Sequence, residues 1–178
     1  MALTGLLLQP SPFTESKDNM ATTYEKIATT TLGSAAATVT FSSISSAYTD
    51  LVVVISAKAT TGTPVTQFRI NSDSGSNYSR TYMYGDGTNA SSGRQSSQTE
   101  IGMATINATN FTPHNLSFNN YSNTTTYKTI LYRGGLDYPA AQVALWQSTS
   151  AISTIDFIIS SSTYTSGSTF TIYGIKAA

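Results

Sequence analysis

The chain has 178 residues with nine basic and nine acidic side chains, so its formal net charge is zero and only 10% of its residues are charged. This length suits a single domain, and the scattered charges form neither a basic stripe for nucleic-acid phosphates nor a basic amphipathic helix for a membrane surface. The lack of cysteine excludes disulfides, thiolate nucleophiles and cysteine-based zinc sites.

Residues 1–20 differ in composition from the rest of the chain, because they contain two of its five prolines, a cluster of leucines and a polar stretch. We predict that they form an extended N-terminal arm and that residues 21–178 form one domain. Two interpretations of the arm stay open. It is either a frayed terminus or a tether that contacts a neighbouring subunit through Leu6, Leu7, Leu8 and Phe13.

The leucine cluster does not have the properties of a targeting segment. Its three apolar residues are far fewer than the stretch of about 7–15 in a signal peptide or of about 20 in a membrane span. We therefore expect a protein that is made in the cytoplasm and stays there until it is assembled or released.

From residue 24 onward, hydroxylated side chains alternate with apolar ones in short runs, and Ser and Thr together supply 56 of the 178 residues. Such alternation places apolar groups on one face of a β-strand and hydroxyls on the other. Eleven short runs separated by turn residues are typical of an antiparallel sandwich or barrel, so the predicted fold class is all-β. The predicted strands are Tyr24–Leu32, Ala37–Ile44, Leu51–Ala59, Thr66–Asn71, Ser79–Tyr84, Glu100–Ile106, Asn115–Tyr121, Tyr127–Gly134, Gln142–Gln147, Ile152–Ser160 and Ser168–Ile175.

Three segments receive a more specific prediction. Leu51–Ile55 is apolar on both faces, which predicts a place in the centre of the sandwich. Residues 140–146 are the best helical candidate, but Pro139 and the β-rich neighbours favour a strand, with Trp146 in the core. Residues 87–97 lack bulky side chains and predict a long surface loop.

Residues with catalytic or metal-binding chemistry are few. The only histidine, His114, follows Pro113 and is predicted to be an ordinary loop residue, because a catalytic histidine needs a nucleophile and an orienting carboxylate nearby. Residues 73–77 place oxygen ligands at alternate positions, but an EF-hand loop would require Glu where Tyr84 stands, so a β-turn is predicted. We predict no catalytic, cofactor-binding or metal-binding residue, and no enzymatic activity.

An aromatic row follows one face of a predicted strand and contains Tyr78, Tyr82 and Tyr84, with Arg80 in phase. Two interpretations stay open. Such a row commonly covers the edge of a β-core, whereas exposed Tyr and Arg form good recognition surfaces because they present large, stiff contact areas with polar tips. In the second case the row contacts a subunit or stacks on a glycan.

The segment Thr23–Leu32 (TYEKIATTTL) and the ending Thr169–Lys176 (TFTIYGIK), with the Ser- and Thr-rich strands between them, carry a family resemblance. From Met20 to the C-terminus the chain resembles small virion proteins of tailed bacteriophages, especially phages of aquatic bacteria. The resemblance implies a jelly-roll-like sandwich, usually trimeric, that serves as head decoration (cement) or as a fibre or spike tip. It implies structural work and no catalytic residues.

We therefore expect a structural virion protein. The favoured function is capsid decoration, in which a homotrimer binds between capsomers of the major capsid protein and stabilises the phage head. Low charge and a modest apolar content favour such association between copies. The alternative is a receptor- or glycan-binding tip domain of a fibre or tail, in which the tyrosine row touches a host-surface glycan.

Overall fold

The alternating sequence folds into twelve β-strands in the computed structural model, which describes residues 23–176. All eleven predicted strands are present, and the described residues contain no helix that could span a membrane. The arm predicted over residues 1–20 lies outside the described residues, and so do Leu6, Leu7, Leu8 and Phe13. The strands are β1 (Tyr24–Thr31), β2 (Thr38–Phe41), β3 (Asp50–Ala57), β4 (Val65–Ile70), β5 (Tyr78–Gly85), β6 (Ala90–Gln98), β7 (Ile101–Thr105), β8 (Thr112–Phe118), β9 (Lys128–Gly134), β10 (Ala140–Trp146), β11 (Ile155–Ile159) and β12 (Thr169–Ile175).

The strands form two antiparallel sheets that pack as a sandwich. The first sheet has eight strands in the order β1-β12-β3-β8-β9-β10-β5-β6, and the second has four in the order β2-β11-β4-β7. Within them β1 pairs with β12, β2 with β11, β3 with β8 and β4 with β7, so the pairings are nested along the chain. Nested pairing across two sheets is the winding of a jelly roll, and the predicted all-β, jelly-roll-like sandwich is confirmed.

Two additional hairpins enlarge the first sheet. The hairpins β5–β6 and β9–β10 add four strands beyond β8, and β10 pairs with both β9 and β5 in continuous register. We call these four strands the extension. Since the second sheet has only four strands, the outer part of the extension projects past its edge strand β7.

The core between the sheets contains a cluster of buried aromatic rings. Phe68 packs against Phe118 and Phe157 with ring centroids 5.7 and 6.2 Å apart, and Phe157 packs against Phe170 at 5.8 Å. All four rings are at most 1% exposed. Each such burial contributes about 1.5–3 kcal/mol, so this cluster holds the two sheets together.

The extension contacts the same core through Tyr78, at the start of β5, and Trp146, at the end of β10. Trp146 is 2% exposed, as predicted, and its ring stacks on Tyr78 at 6.5 Å. The Trp146 Nε1 donates to Oδ2 of Asp73 at 2.7 Å, and the amide of Gly75 donates to Oδ1 at 2.8 Å, which gives the predicted turn. Burial raises the pKa of Asp73, but hydrogen bonds from Trp146, Asn77 and Gly75 more than offset it and hold that pKa below its usual range.

The surface loop predicted over residues 87–97 is wrong, because Ala90–Gln98 is strand β6. This strand lies at the edge of the first sheet, and among residues 23–176 it pairs with β5 alone. Most of its side chains are exposed on both faces, so its sequence carries no alternation of apolar and polar residues. Backbone pairing with β5 and a hydrogen bond from Arg80 to Gln95 hold it in place.

The loop position predicted for His114 is also wrong. His114 lies in β8, is 2% exposed, and has Nδ1 2.9 Å from the hydroxyl of Tyr132. That hydroxyl also accepts the amide of Ala104 at 3.0 Å, and the direction of its bond to Nδ1 depends on the imidazole tautomer. The Nε2 is buried without a partner among residues 23–176, and burial lowers the pKa of His114 from 6.5 to about 4.

This histidine predicts an acid-sensitive stability. The unfolded chain binds a proton near pH 6.5, whereas folded His114 binds one only near pH 4. The unfolded state therefore holds more protons between these values, and the free energy of unfolding should fall by up to about 3 kcal/mol as the pH drops through this window. Denaturant unfolding at stepped pH measures the slope.

A His114→Phe variant should lose that slope, because no other histidine exists in the chain. Parallel slopes in the variant and the parent between pH 6.5 and about 5 would contradict the assignment.

Candidate functional site

An open cleft lies where the extension projects past β7. It has a volume of about 560 Å³, which is within the range of roughly 300–1,000 Å³ found for ligand sites. The inner face of β5 and β10 forms its floor, β7 forms one wall, and the loop between β9 and β10 forms its rim. Its polar and aromatic lining consists of Thr63, Arg80, Tyr82, Tyr84, Thr105, Asp137, Tyr138 and Gln142.

The tyrosine row predicted from the sequence divides into a buried and an open part. Tyr78 is fully buried, and its hydroxyl accepts the amide of Ile70 at 3.1 Å and donates to the carbonyl of Asp73 at 3.0 Å. Burial raises the pKa of Tyr78 to about 12. The prediction of surface recognition is therefore wrong for Tyr78, because it lies against β4 and the following turn.

The open part of the row is a stacked platform. Tyr82 is partly buried, Tyr84 is 40% exposed, and their rings stack at 6.3 Å with planes 26° apart. Tyr82 lies across from Gly93 of β6, where a Cβ would be 2.6 Å from the tyrosine oxygen and 2.7 Å from Cζ. The lack of a side chain at Gly93 lets the ring lie against the neighbouring strand.

Arg80 is held at the inner end of this platform. Its guanidinium lies 4.7 Å from the centre of the Tyr82 ring, and Nε donates to Oε1 of Gln95 at 2.8 Å. Its Nη1 donates to the carbonyl of Gly102 and, at 3.2 Å, to Oε1 of Gln142. A Cβ at Gly102 would be 2.9 Å from both Nη1 and Nη2, so a side chain at this position would displace the guanidinium.

No carboxylate among residues 23–176 neutralises Arg80. The ion pairs of the described chain are Arg69–Glu100 and Lys176–Glu25. Burial lowers the pKa of Arg80, but a guanidinium stays protonated in proteins. The floor of the cleft therefore carries one uncompensated positive charge.

The rim of the cleft comes from a segment that sequence reasoning did not select. Asp137 accepts a hydrogen bond at Oδ2 from Nδ2 of Asn107 at 3.0 Å, and Tyr138 is 49% exposed. Gly135 has a φ of +105°, which glycine adopts without strain and which turns the loop over the cleft. Nothing in the sequence indicates that the turn at Gly134-Gly135 would face β5.

The outer face of the extension presents a second feature, an apolar patch. Met83 is 64% exposed, Val143 51% and Leu131 45%. The register places Val143 directly across from Leu131, and Met83 directly across from Ala141. We call these four residues the outer patch. Arg133, across from Ala141, is the charge closest to them in the register.

The described chain holds no group of three His, Cys, Asp or Glu side chains that could bind a metal ion. Comparison with family models, with curated proteins and with solved structures finds no match to this chain. The recognition role of Arg80, Tyr82 and Tyr84 stays a prediction that rests on the geometry of the cleft.

The contact between Tyr82 and Gly93 predicts a coupled pair of mutations. Gly93→Ala should lower the free energy of unfolding by about 1–3 kcal/mol, because the added methyl group overlaps the Tyr82 ring. In a Tyr82→Ala background the same change should cost almost nothing, since the ring is gone. Denaturant unfolding of the four proteins measures this cycle.

Ser92→Ala is the matched control, because Ser92 lies on the same strand with an exposed side chain. Equal costs of Gly93→Ala in the two backgrounds would show that the ring does not rest on Gly93.

Proposed function

We propose that this chain is a structural virion protein, and specifically a decoration protein that binds between the capsomers of a phage head as a homotrimer. The observation that carries the proposal is the outer patch. Exposed apolar patches rimmed by polar residues commonly mark contacts between proteins.

A second copy of this chain is the partner that suits the outer patch. The patch lies on a broad sheet, since eight strands about 4.8 Å apart give a face roughly 35 Å wide, which has room for the roughly 800 Å² per partner of a standard interface. The chain has no net charge, so copies do not repel one another strongly. Desolvating Met83, Leu131 and Val143 supplies the apolar burial that association needs.

The arm would provide the contact with the shell. The chain enters β1 at the edge of the first sheet that lies farthest from β6. Three arms in one trimer would each make a weak contact, and simultaneous engagement would convert these into durable attachment. Leu6, Leu7, Leu8 and Phe13 are the apolar side chains proposed to make it.

A receptor- or glycan-binding tip of a fibre or tail is the second candidate. One observation favours it, namely the open cleft with its stacked tyrosines and uncompensated Arg80. A decoration protein needs no such cleft to hold capsomers together.

The outer patch predicts a charge-sensitive oligomer. Leu131→Lys and Val143→Lys should each convert the full-length trimer into a monomer, because an unpaired ammonium group would have to be buried in the interface. Both side chains are exposed in the single chain, so folding stability should change by only about 0.5 kcal/mol. Light scattering coupled to size exclusion measures the mass.

Thr38→Lys is the control, because Thr38 is exposed on the second sheet, and it should leave the trimer intact. A parent protein that elutes as a monomer at micromolar concentration would contradict the proposed homotrimer.

The arm predicts head attachment. On heads from a deletion phage, added full-length protein should bind in numbers comparable to the capsomers and restore resistance to heating. Replacing Leu6, Leu7, Leu8 and Phe13 with Ser should abolish both effects, whereas Thr14→Ser should not. Immunogold labelling confined to the tail would instead favour the tip function.

A further inference from the structure

Arg80 retains hydrogen-bonding capacity that the described residues do not use. A guanidinium has five N–H donors. The Nε bond to Gln95 and the two Nη1 bonds, to Gly102 and Gln142, use three of them. Nη2 donates to no group among residues 23–176, yet it is not among the fully buried unpaired atoms, so it is accessible. Two donors and one positive charge are therefore available to a ligand.

A ligand for Arg80 needs an anionic group, and the neighbouring tyrosine platform indicates what the rest of that ligand is. The stacked rings of Tyr82 and Tyr84 present flat apolar surface with hydroxyl tips, and Tyr138 adds a third, 49% exposed ring at the rim. A sugar ring has the same dual character, because its C–H faces stack on aromatic rings while its hydroxyls form hydrogen bonds. Asp137 Oδ1 accepts no hydrogen bond from the described residues and can accept one from such a hydroxyl.

The charge of the cleft selects among anions. The lining contains one guanidinium and one carboxylate, that of Asp137, and the two form no ion pair with each other. A phosphate or sulfate cluster would require several cations, whereas a single carboxylate matches the two accessible donors of Nη2 in charge and number. A neutral ligand would leave the half-buried cation uncompensated, which is costly.

We infer that the cleft binds an acidic saccharide, in which a carboxylate pairs with Arg80 and the sugar ring stacks on Tyr82 and Tyr84. The inference rests on the second candidate function and narrows its ligand to carboxylate-bearing sugars. It is independent of the outer patch, which lies on the opposite face of the extension. A particle decorated by this protein would display one such site per copy.

Calorimetric titration of the full-length protein tests the inference with two acidic probes and their neutral counterparts. The first pair is trigalacturonate and its methyl ester, and the second is sialyllactose and lactose. At least one acidic probe should bind, and its neutral counterpart should bind about tenfold or more weakly, because the charge-assisted hydrogen bond is lost.

Two variants separate the roles of charge and stacking. Arg80→Gln should weaken binding of the acidic probe about tenfold and leave the neutral counterpart unchanged. Tyr84→Ser should weaken both members of the pair by the same factor, since both stack. Tyr84 is at the exposed end of the platform, so this variant remains informative if Arg80→Gln fails to fold.

Arg94→Gln is the matched control, because Arg94 is an exposed arginine of the adjacent strand β6, paired with Thr81 and not with the cleft face of β5. Binding of neither acidic probe, equal binding of an acid and its neutral counterpart, or an equal loss in Arg94→Gln would each overturn the inference. Leu131→Lys should leave saccharide binding unchanged, so a failed saccharide site and a failed decoration function give different results.

Discussion

Burial between the sheets depends on how far the four-stranded sheet covers the eight-stranded one. The strands β2, β11, β4 and β7 lie over the inner face of the first sheet where Phe68, Phe118 and Phe170 fill the space between the layers. Among residues 23–176, no strand opposes the inner face beyond β7. The side chains there can no longer be stabilised by apolar burial, and polar or amphipathic residues replace the core residues.

The exposure of the inward side chains of strand β5 increases along the strand in the same way. Its inward positions run from Tyr78, which is fully buried, through Arg80 and Tyr82, which are partly covered, to Tyr84, which is 40% exposed. The same residue type thus serves as core at one end of a strand and as surface at the other. Gln142 on β10 lies between the covered and the open part of the inner face. It is only 6% exposed, and its Nε2 donates to the carbonyl of Gly102 at 3.0 Å.

The sequence was sufficient to predict the strands whose apolar and polar residues alternate. It was insufficient to predict which part of each sheet face is covered by another layer. Alternation located eleven strands and placed Tyr78, Arg80, Tyr82 and Tyr84 on one face, but periodicity cannot say what packs against that face. Strand β6 was missed because neither of its faces is buried. His114 was misplaced because Pro113 suggests a loop, whereas here the carbonyl of Pro113 accepts the amide of Gly135 at 3.1 Å within the strand region. The rim of the cleft could not be predicted, because Asp137 and Tyr138 reach it from another hairpin.

The nested winding also governs when the molecule can complete its structure. Strand β12 lies between β1 and β3, and β11 lies between β2 and β4, so the first strands made acquire their neighbours from the last. During synthesis on the ribosome, the backbone hydrogen-bonding groups of β1 and β2 therefore stay unpaired until the C-terminal strands emerge. Pairings this distant in sequence fold slowly and expose strand edges meanwhile. The hydroxyl-rich faces and the shortage of long apolar runs reduce the tendency of these unpaired strands to aggregate.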